Sequence, residues 1–234
     1  MTRPGYVGGE LDLFAAARTW KGYWSRRLAP DLRGDVLEVG SGLGANAPFL
    51  LGPRVRSLLS LEPDPALAAR LKARRDERGD ARWKVSCGTV ASTREAPGFD
   101  AILYLDVLEH IADDAGELRE AARRLHHGGL LAVLAPAHEW LFSPFDAAVG
   151  HHRRYTRATL AAVVPPGLVP VVSTYLDSPG VLLSLANRLL LRRRLPTARD
   201  IALWDRWVVP LAVRLDPLTG RLFGRSVLSV WRAD

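Results

Sequence analysis

The sequence predicts an α/β protein: a doubly wound parallel sheet with helices on both faces. Three observations predict it. Stretches such as "GDVLEVG", "FDAILYL" and "GGLLAVLAP" are apolar almost throughout rather than alternating, as strands covered on both faces must be. Amphipathic stretches of helical period separate them, the alternation of βαβ units. The first strand runs straight into Gly40, Gly42 and Gly44, a turn that lets a ligand approach backbone N–H groups at a helix start.

The elements follow in order. A helical opening spans Leu11 to Leu28, ahead of the strand "GDVLEVGSGLG". "VRSLLSLEP" is an apolar run ending in an acid, and "PALAARLKARRDER" places Leu67 and Leu71 on one helical face. "RWKVSCG" and "FDAILYLDVL" read as strands. "DDAGELREAARRL" reads as a helix capped by Asp114, with arginines in its last turns. After the strand "GGLLAVLAP" the pattern loosens, and residues 137–157 read as loop with some helix. "RATLAAVV" forms a helix closed by Pro165-Pro166-Gly167, and "LVPVVSTYL" resumes a strand. An insertion from Ser178 to Gly224, helical over "PGVLLSLANRLLLRRR" and "IALWDRWVVPLAVRLD", precedes the last strand "RSVLSVWR". With no repeat, low-complexity tract or linker, residues 1–234 are expected to form one domain, with 1–30 as a helical cap and 178–224 as a helical insertion.

Hydrophobic residues make up 48% of the 234-residue chain and charged residues 24%, which excludes a disordered class. The formal charge of +7 is carried mainly by arginine. It fits a nucleic-acid partner, an acidic substrate, an anionic membrane surface, or plain arginine-rich usage. A single cysteine, Cys87, excludes an intrachain disulfide and a cysteine-based zinc cage. There is no basic-then-apolar leader and no run of ~18 apolar residues, so a cytoplasmic location is expected.

The glycine turn alone is a weak signal, and Ala45 even allows the dinucleotide pattern G-x-G-x-x-A. Three features favour another nucleoside ligand. Glu38, two residues before Gly40, would repel a pyrophosphate but suit an ammonium group. Glu62 ends the second strand, where a carboxylate can accept from both hydroxyls of a ribose. Polar residues follow the fourth strand in "LYLDVLEHI", at the sheet edge where ligands of such folds sit.

"VLEVGSGLG", "LSLEPDPAL", "FDAILYLDVLEHIADD" and "LHHGGLLAVLAPA" together resemble the successive motifs of class I S-adenosylmethionine-dependent methyltransferases. "FDAAVGHHRRYTRATL" is similar to a stretch found in a small-molecule subgroup of them. The resemblance runs from about Trp20 to Thr159 and implies a Rossmann-like sheet of seven strands, the last antiparallel. It implies S-adenosyl-L-methionine as cofactor, over Gly40, Gly42 and Gly44, with Glu38 toward its ammonium and Glu62 on its ribose. Gly88 and Thr89 would flank the adenine, Leu105 and Asp106 would lie beside the methionine end, and Trp20 and Lys21 would close over the cofactor. His127 stands where relatives have a proline, and neither it nor His126 is read as functional.

Methyl transfer needs alignment, exclusion of water and, for hydroxyls and most amines, a proton acceptor. His110 and His151 are the candidates for that acceptor, with Asp106 the best remaining acid. The competing readings are a buried or capping hydrogen bond for His110, a loop-fixing one for His151, and cofactor positioning alone for Asp106. His151, Arg154 and Tyr155 in "GHHRRYT" are candidate acceptor contacts, since a guanidinium fork can clamp a carboxylate; alternatively an arginine of this segment pairs with Asp146 or another loop acid. No metal centre is expected, because adjacent histidines diverge and no Asp/Glu/His set at ligand spacing accompanies them. Nucleic acid is disfavoured: "LDVL" stands where base-amino methyltransferases carry an Asn/Asp-Pro-Pro-aromatic motif, and the basic residues are not interleaved with aromatics.

The insertion is richer in leucine, valine and tryptophan than a surface loop requires, and Arg188, Arg192, Arg193 and Arg194 cluster within it. It is read either as a helical lid with solvated arginines or as an apolar acceptor pocket, with residues 188–194 resting on an anionic membrane. The sequence thus points to methylation, at oxygen before nitrogen or carbon, of a small lipophilic acceptor. An RNA or protein methyltransferase and a non-catalytic nucleoside-binding or membrane-surface module stay open, and a dehydrogenase is the remaining reading.

Overall fold

The computed structural model describes residues 9–93, 98–191, 193 and 195–234. Two helices, α1 (Gly9–Ala15) and α2 (Arg18–Leu28), open the chain. The expected continuous helix from Leu11 is therefore broken at Ala16–Ala17, where Asp205 of the insertion accepts from the backbone N–H groups of Thr19 at 3.0 Å and Trp20 at 2.8 Å. A carboxylate at this helix start satisfies donors that have no partner within the helix.

Seven strands follow: β1 (Gly34–Val39), β2 (Val55–Glu62), β3 (Trp83–Cys87), β4 (Phe99–Leu105), β5 (Leu125–Pro136), β6 (Leu168–Leu176) and β7 (Ser226–Ala233). Their spatial order is β3-β2-β1-β4-β5-β7-β6. β1 to β5 pair in parallel, and β7 runs antiparallel between β5 and β6. This is the Rossmann-like sheet with an antiparallel last strand that the resemblance implied. Its order reverses between β1 and β4, so the loops leaving those two strands border one crevice.

Alternation within each strand divides the core. Val36, Leu58, Leu103, Ala132 and Leu228 face one side, with Trp20 and Trp24 of α2 and Trp204 of the insertion. Leu37, Leu61, Ile102, Val133 and Val227 face the other. That second face is covered by α5 (Asp114–Ala122) and α7 (Arg157–Val163), whose Leu118, Ala121 and Leu160 are buried. Between them in sequence lies α6 (Pro144–Val149). The crossover after the glycine turn is brief, α3 (Ala47–Leu50), and α4 (Pro65–Arg78) is capped by Asp64. In α5 the cap is Asp113, which accepts from Gly116, rather than Asp114; Asp114 turns into the protein.

The insertion forms α8 (Gly180–Ala186), continued by a π-helical turn over Asn187–Leu191, then α9 (Ala198–Leu203). A second π turn, Trp204–Val208, joins α9 to α10 (Val209–Leu218). Arg188 and Arg193 are exposed, while Arg192 and Arg194 of the expected cluster lie outside the described residues. Asp216 anchors the insertion. Its buried carboxylate accepts from Tyr23 Oη at 2.7 Å, Asp177 N at 2.7 Å, Ser178 N at 3.0 Å and Ser178 Oγ. Burial and this hydrogen bond push the Tyr23 phenol well above its usual range. Asp216→Ala strands three sets of donors and is expected to cost about 3 kcal/mol or more; urea unfolding compared with an exposed control, Asp234→Ala, measures it.

Candidate active site

The carboxyl ends of β1 and β2 carry the glycine turn and two buried acids. Gly44 has φ of 69°, and a Cβ there would come within 2.4 Å of Leu71 and 2.7 Å of Trp83, so glycine is required both by conformation and by space. Trp83 Nε1 donates to Ser60 Oγ at 3.0 Å, and Ser60 donates to Glu38 at 3.1 Å. Asn46 Nδ2 donates to the other Glu38 oxygen at 2.9 Å. Burial raises the Glu38 carboxyl against these bonds. Glu62 accepts from Gly42 N at 2.8 Å and Asp64 N at 3.0 Å, so one carboxylate fixes the turn and the start of α4. Burial lifts its pKa too.

Gly88, after β3, donates its N–H to the Glu62 carbonyl at 3.0 Å, and Thr89 beside it is exposed. Leu105 is buried at the end of β4. Asp106 follows in the left-handed region, φ 57°. It is open to the recess, yet the protein crowded around it desolvates the carboxyl and pushes it up to about 6, against the attraction of His151, Lys21 and Arg225. Lys21 is buried, with Nζ donating to Phe14 O. Desolvation draws it down to about 8, partly offset by Asp106, Asp205 and Glu38. The cap, the glycine strand and the insertion therefore converge on one electrostatic neighbourhood.

The loop after β5 forms a second wall. Asp146 of α6 is fully buried and accepts from Ser143 N and Oγ, both at 2.9 Å, from His151 Nδ1 at 2.8 Å, and from Arg154 Nε at 2.8 Å and Nη2 at 2.9 Å. Burial would raise its pKa, but the bonds from His151 and Arg154 prevail and hold it far below the usual carboxylate range. The Nε–Nη2 edge of the Arg154 fork is thus filled by Asp146, and Nη1 donates to Ala137 O at 3.3 Å. Tyr155 is buried with its hydroxyl donating to Asp114 at 2.7 Å, and Arg153 Nη1 donates to the same oxygen at 2.8 Å. Desolvation and the Asp114 bond push the phenol far up. His151 and His110 meet edge to face, ring centres 4.6 Å apart, and Phe145 lies 6.1 Å from His151. Burial and the neighbouring His151 and His152 draw His110 down to about 4.

Sequence reasoning missed Glu109. It is 1% exposed, and neither carboxylate oxygen has a hydrogen-bond partner among the described residues. Burial and repulsion from Asp106 and Asp146 raise its pKa well above the ordinary range. Its place beside His151, at 3.8 Å, depends on the loops after β4 and β5 meeting, which His152 N donating to Glu109 O at 2.8 Å secures. The local sequence shows no ligand-spaced set; the fold brings Glu109, His110 and His151 together all the same.

The insertion reaches this neighbourhood. Trp20 and Trp204 rings are 5.7 Å apart, Phe14 and Phe145 rings 6.1 Å. Arg225 lies over the Trp204 ring at 4.3 Å and pairs with Asp177 at 3.0 Å. A groove of about 280 Å³ runs between the cap and α9, lined by Leu13, Ala16, Ile201 and Asp205, apart from the sheet-edge residues.

Residues 37–133 match the family described as a methyltransferase domain. This region is a class I S-adenosylmethionine-dependent methyltransferase domain. S-adenosylmethionine is its cofactor. The methyltransferase fold extends over almost the whole chain. The chain is similar to the N-methyltransferase NodS from Bradyrhizobium japonicum WM9, TM-score 0.58 and 14% identity over 93% of this chain and 96% of that one. It is also similar to coclaurine N-methyltransferase, bound to N-methylheliamine and S-adenosylhomocysteine, at 0.60 and 14% over 92% and 72%. A third neighbour is the [4+2]-cyclase SpnF, at 0.61 and 19% over 91% and 81%. No curated protein matches the chain by sequence.

Lys21 supplies a pH test. Its proton is bound in the unfolded chain up to about 10.5 but in the folded chain only to about 8, so stability rises with pH across that window and the full penalty of about 3 kcal/mol is felt below it. Lys21→Met is expected to flatten this part of the stability profile, read by urea unfolding between pH 7.5 and 10.5.

Proposed function

We propose that the chain methylates an oxygen of a small, lipophilic acceptor. The observation that carries this reading is the two-sided insertion. Its inner side, Ile201, Trp204 and Ala212, is buried, while Leu203, Trp207, Leu211 and Leu218 stand exposed on the same continuous helix. These four recur at intervals that share one helical face. Leu182, Leu183, Leu189 and Leu190 of α8 and its extension are exposed as well. A soluble surface seldom leaves so many large apolar groups in water without a use. Eight arginines against three aspartates in residues 178–224 suit an anionic bilayer surface from which such an acceptor could be drawn.

The bound cofactor supplies an activated methyl group on a sulfonium. The chain's own residues do the rest. Glu38 would orient the ammonium, Glu62 the ribose hydroxyls, and Lys21 and Trp20 would keep water from the methionine end. Leu105 and Asp106 would border that end, with Gly88 and Thr89 at the adenine. His110 and His151 face the acceptor side, and His151, held through Nδ1 by Asp146, presents its other nitrogen toward Glu109. A hydroxyl acceptor loses a proton as its oxygen takes the methyl, and this wall is the place for it to be received. Arg154 and Tyr155, engaged by Asp146 and Asp114, set the wall's shape.

Two measurements test this. Glu62→Gln removes a charge and one acceptor and is expected to weaken S-adenosylhomocysteine binding at least ~10-fold by calorimetry; unchanged affinity overturns the ribose assignment. Methyl-labelled cofactor incubated with lysate should place label in the solvent extract, whereas label confined to RNA or protein overturns the small-molecule reading. The surface reading has its own test. Wild-type protein should co-sediment with vesicles of phosphatidylglycerol and phosphatidylcholine but not with phosphatidylcholine alone, and Leu203→Ser with Trp207→Ser and Leu211→Ser should abolish this at unchanged cofactor affinity.

A further inference from the structure

We propose that Glu109, His110 and His151 form a binding site for a divalent transition-metal cation. One donor atom from each of the three lies within 4.8 Å of the others. A cation bound at about 2.0–2.2 Å needs donors about 3.4 Å apart, and His151 Nε2 and Glu109 Oε1 are already 3.8 Å apart. Small side-chain adjustments close the set.

The buried carboxylate makes the case. Glu109 has no hydrogen-bond partner for either oxygen among the described residues. An ionised carboxylate in that position is costly unless a cation or strong donors meet it. The buried Arg154 guanidinium is taken up by Asp146 along its Nε–Nη2 edge and by the Ala137 carbonyl through Nη1 at 3.3 Å. The second support is the orientation of His151. Asp146 holds Nδ1 at 2.8 Å, so Nε2 is the nitrogen turned to Glu109, the carboxylate–histidine–metal arrangement that fixes a ligating ring. His110 meets His151 edge to face, ring centres 4.6 Å apart, so both imidazoles stand beside the Glu109 carboxylate. Two imidazoles and one carboxylate suit zinc, cobalt, manganese or iron better than magnesium or calcium, which favour all-oxygen shells.

The cation's role, unlike the site, rests on the acceptor reading. Held here, it would polarise the acceptor oxygen; the oxygen–methyl bond forms as the sulfonium carbon–sulfur bond breaks, S-adenosylhomocysteine leaves, and, with both imidazoles engaged as ligands, the acceptor proton passes to water rather than to either histidine.

The test is Co²⁺ binding to the chelator-stripped full chain, followed by visible absorption and by equilibrium dialysis, with no acceptor present. One equivalent is expected, with the d–d bands of nitrogen and oxygen ligation, displaced by Zn²⁺. Glu109→Gln, nearly isosteric, is expected to lose at least ~100-fold in Co²⁺ affinity while keeping the cooperative thermal transition of the metal-free wild-type protein. Asp146→Asn should lose ~10–100-fold through His151, and the exposed-histidine control His126→Ala nothing. Absence of stoichiometric binding, or binding that Glu109→Gln leaves intact, overturns the site. Stoichiometric binding lost in Glu109→Gln, combined with methyl transfer that chelation does not alter, upholds the site and overturns only the role given to the cation.

Discussion

Acidic side chains crowd the carboxyl edge of the sheet, and the rest of the site is arranged around the cost of keeping them there. Glu38, Glu62, Asp106, Glu109 and Asp146 come from β1, β2, the two turns after β4, and α6. Burial works against the charged form of each. Only Asp146 is matched in full, by Arg154, His151 and Ser143. That match turns the segment from Ser143 to Arg154 into a fixed wall rather than a floppy loop. The others are compensated in part, by backbone N–H groups at Glu62, by Asn46 and Ser60 at Glu38, by Lys21 across the recess from Asp106. Surplus acid of this kind suits the cationic cofactor under the proposed reading, in which Glu38 meets its ammonium.

The insertion is tied to the same problem. Asp205 caps α2 and attracts Lys21, Asp177 binds Arg225 and Trp204, and Asp216 gathers Tyr23 with Ser178. Of the insertion's own three aspartates, Asp205 and Asp216 are used inward, while Asp200 caps α9 on the outer side and pairs with the exposed Arg193 at 3.3 Å. Leu203, Trp207 and Leu211 stand exposed on the same helix.

Much of this was legible in the chain. Apolar strands and amphipathic helices repeat often enough to announce a covered parallel sheet, and the glycine turn with Glu38 and Glu62 lies within local sequence. The misreadings have physical causes. The cap of α5 shifted from Asp114 to Asp113 because Asp114 bonds to Tyr155 and Arg153, residues about forty positions away, and propensity sees only neighbours. The opening helix breaks where Asp205 reaches α2 from the other end of the chain. Glu109 reads as one more charge after a strand; its isolation is a property of the packing between two loops.

SpnF, a cyclase, shares this fold, so the sheet by itself does not specify the chemistry; the residues at its edge must. At this edge a neutral wall would suffice for a carboxylate, which needs no proton removed. The chain instead has two imidazoles against an unpaired buried carboxylate, held by an aspartate that is itself held by an arginine and a serine. Keeping that arrangement in the fold costs stability at Glu109, a cost that a merely structural wall could avoid with glutamine or leucine of similar volume. That cost is consistent with the proposed reading, in which the β4 and β5 loops meet an acceptor whose reacting atom sheds a proton.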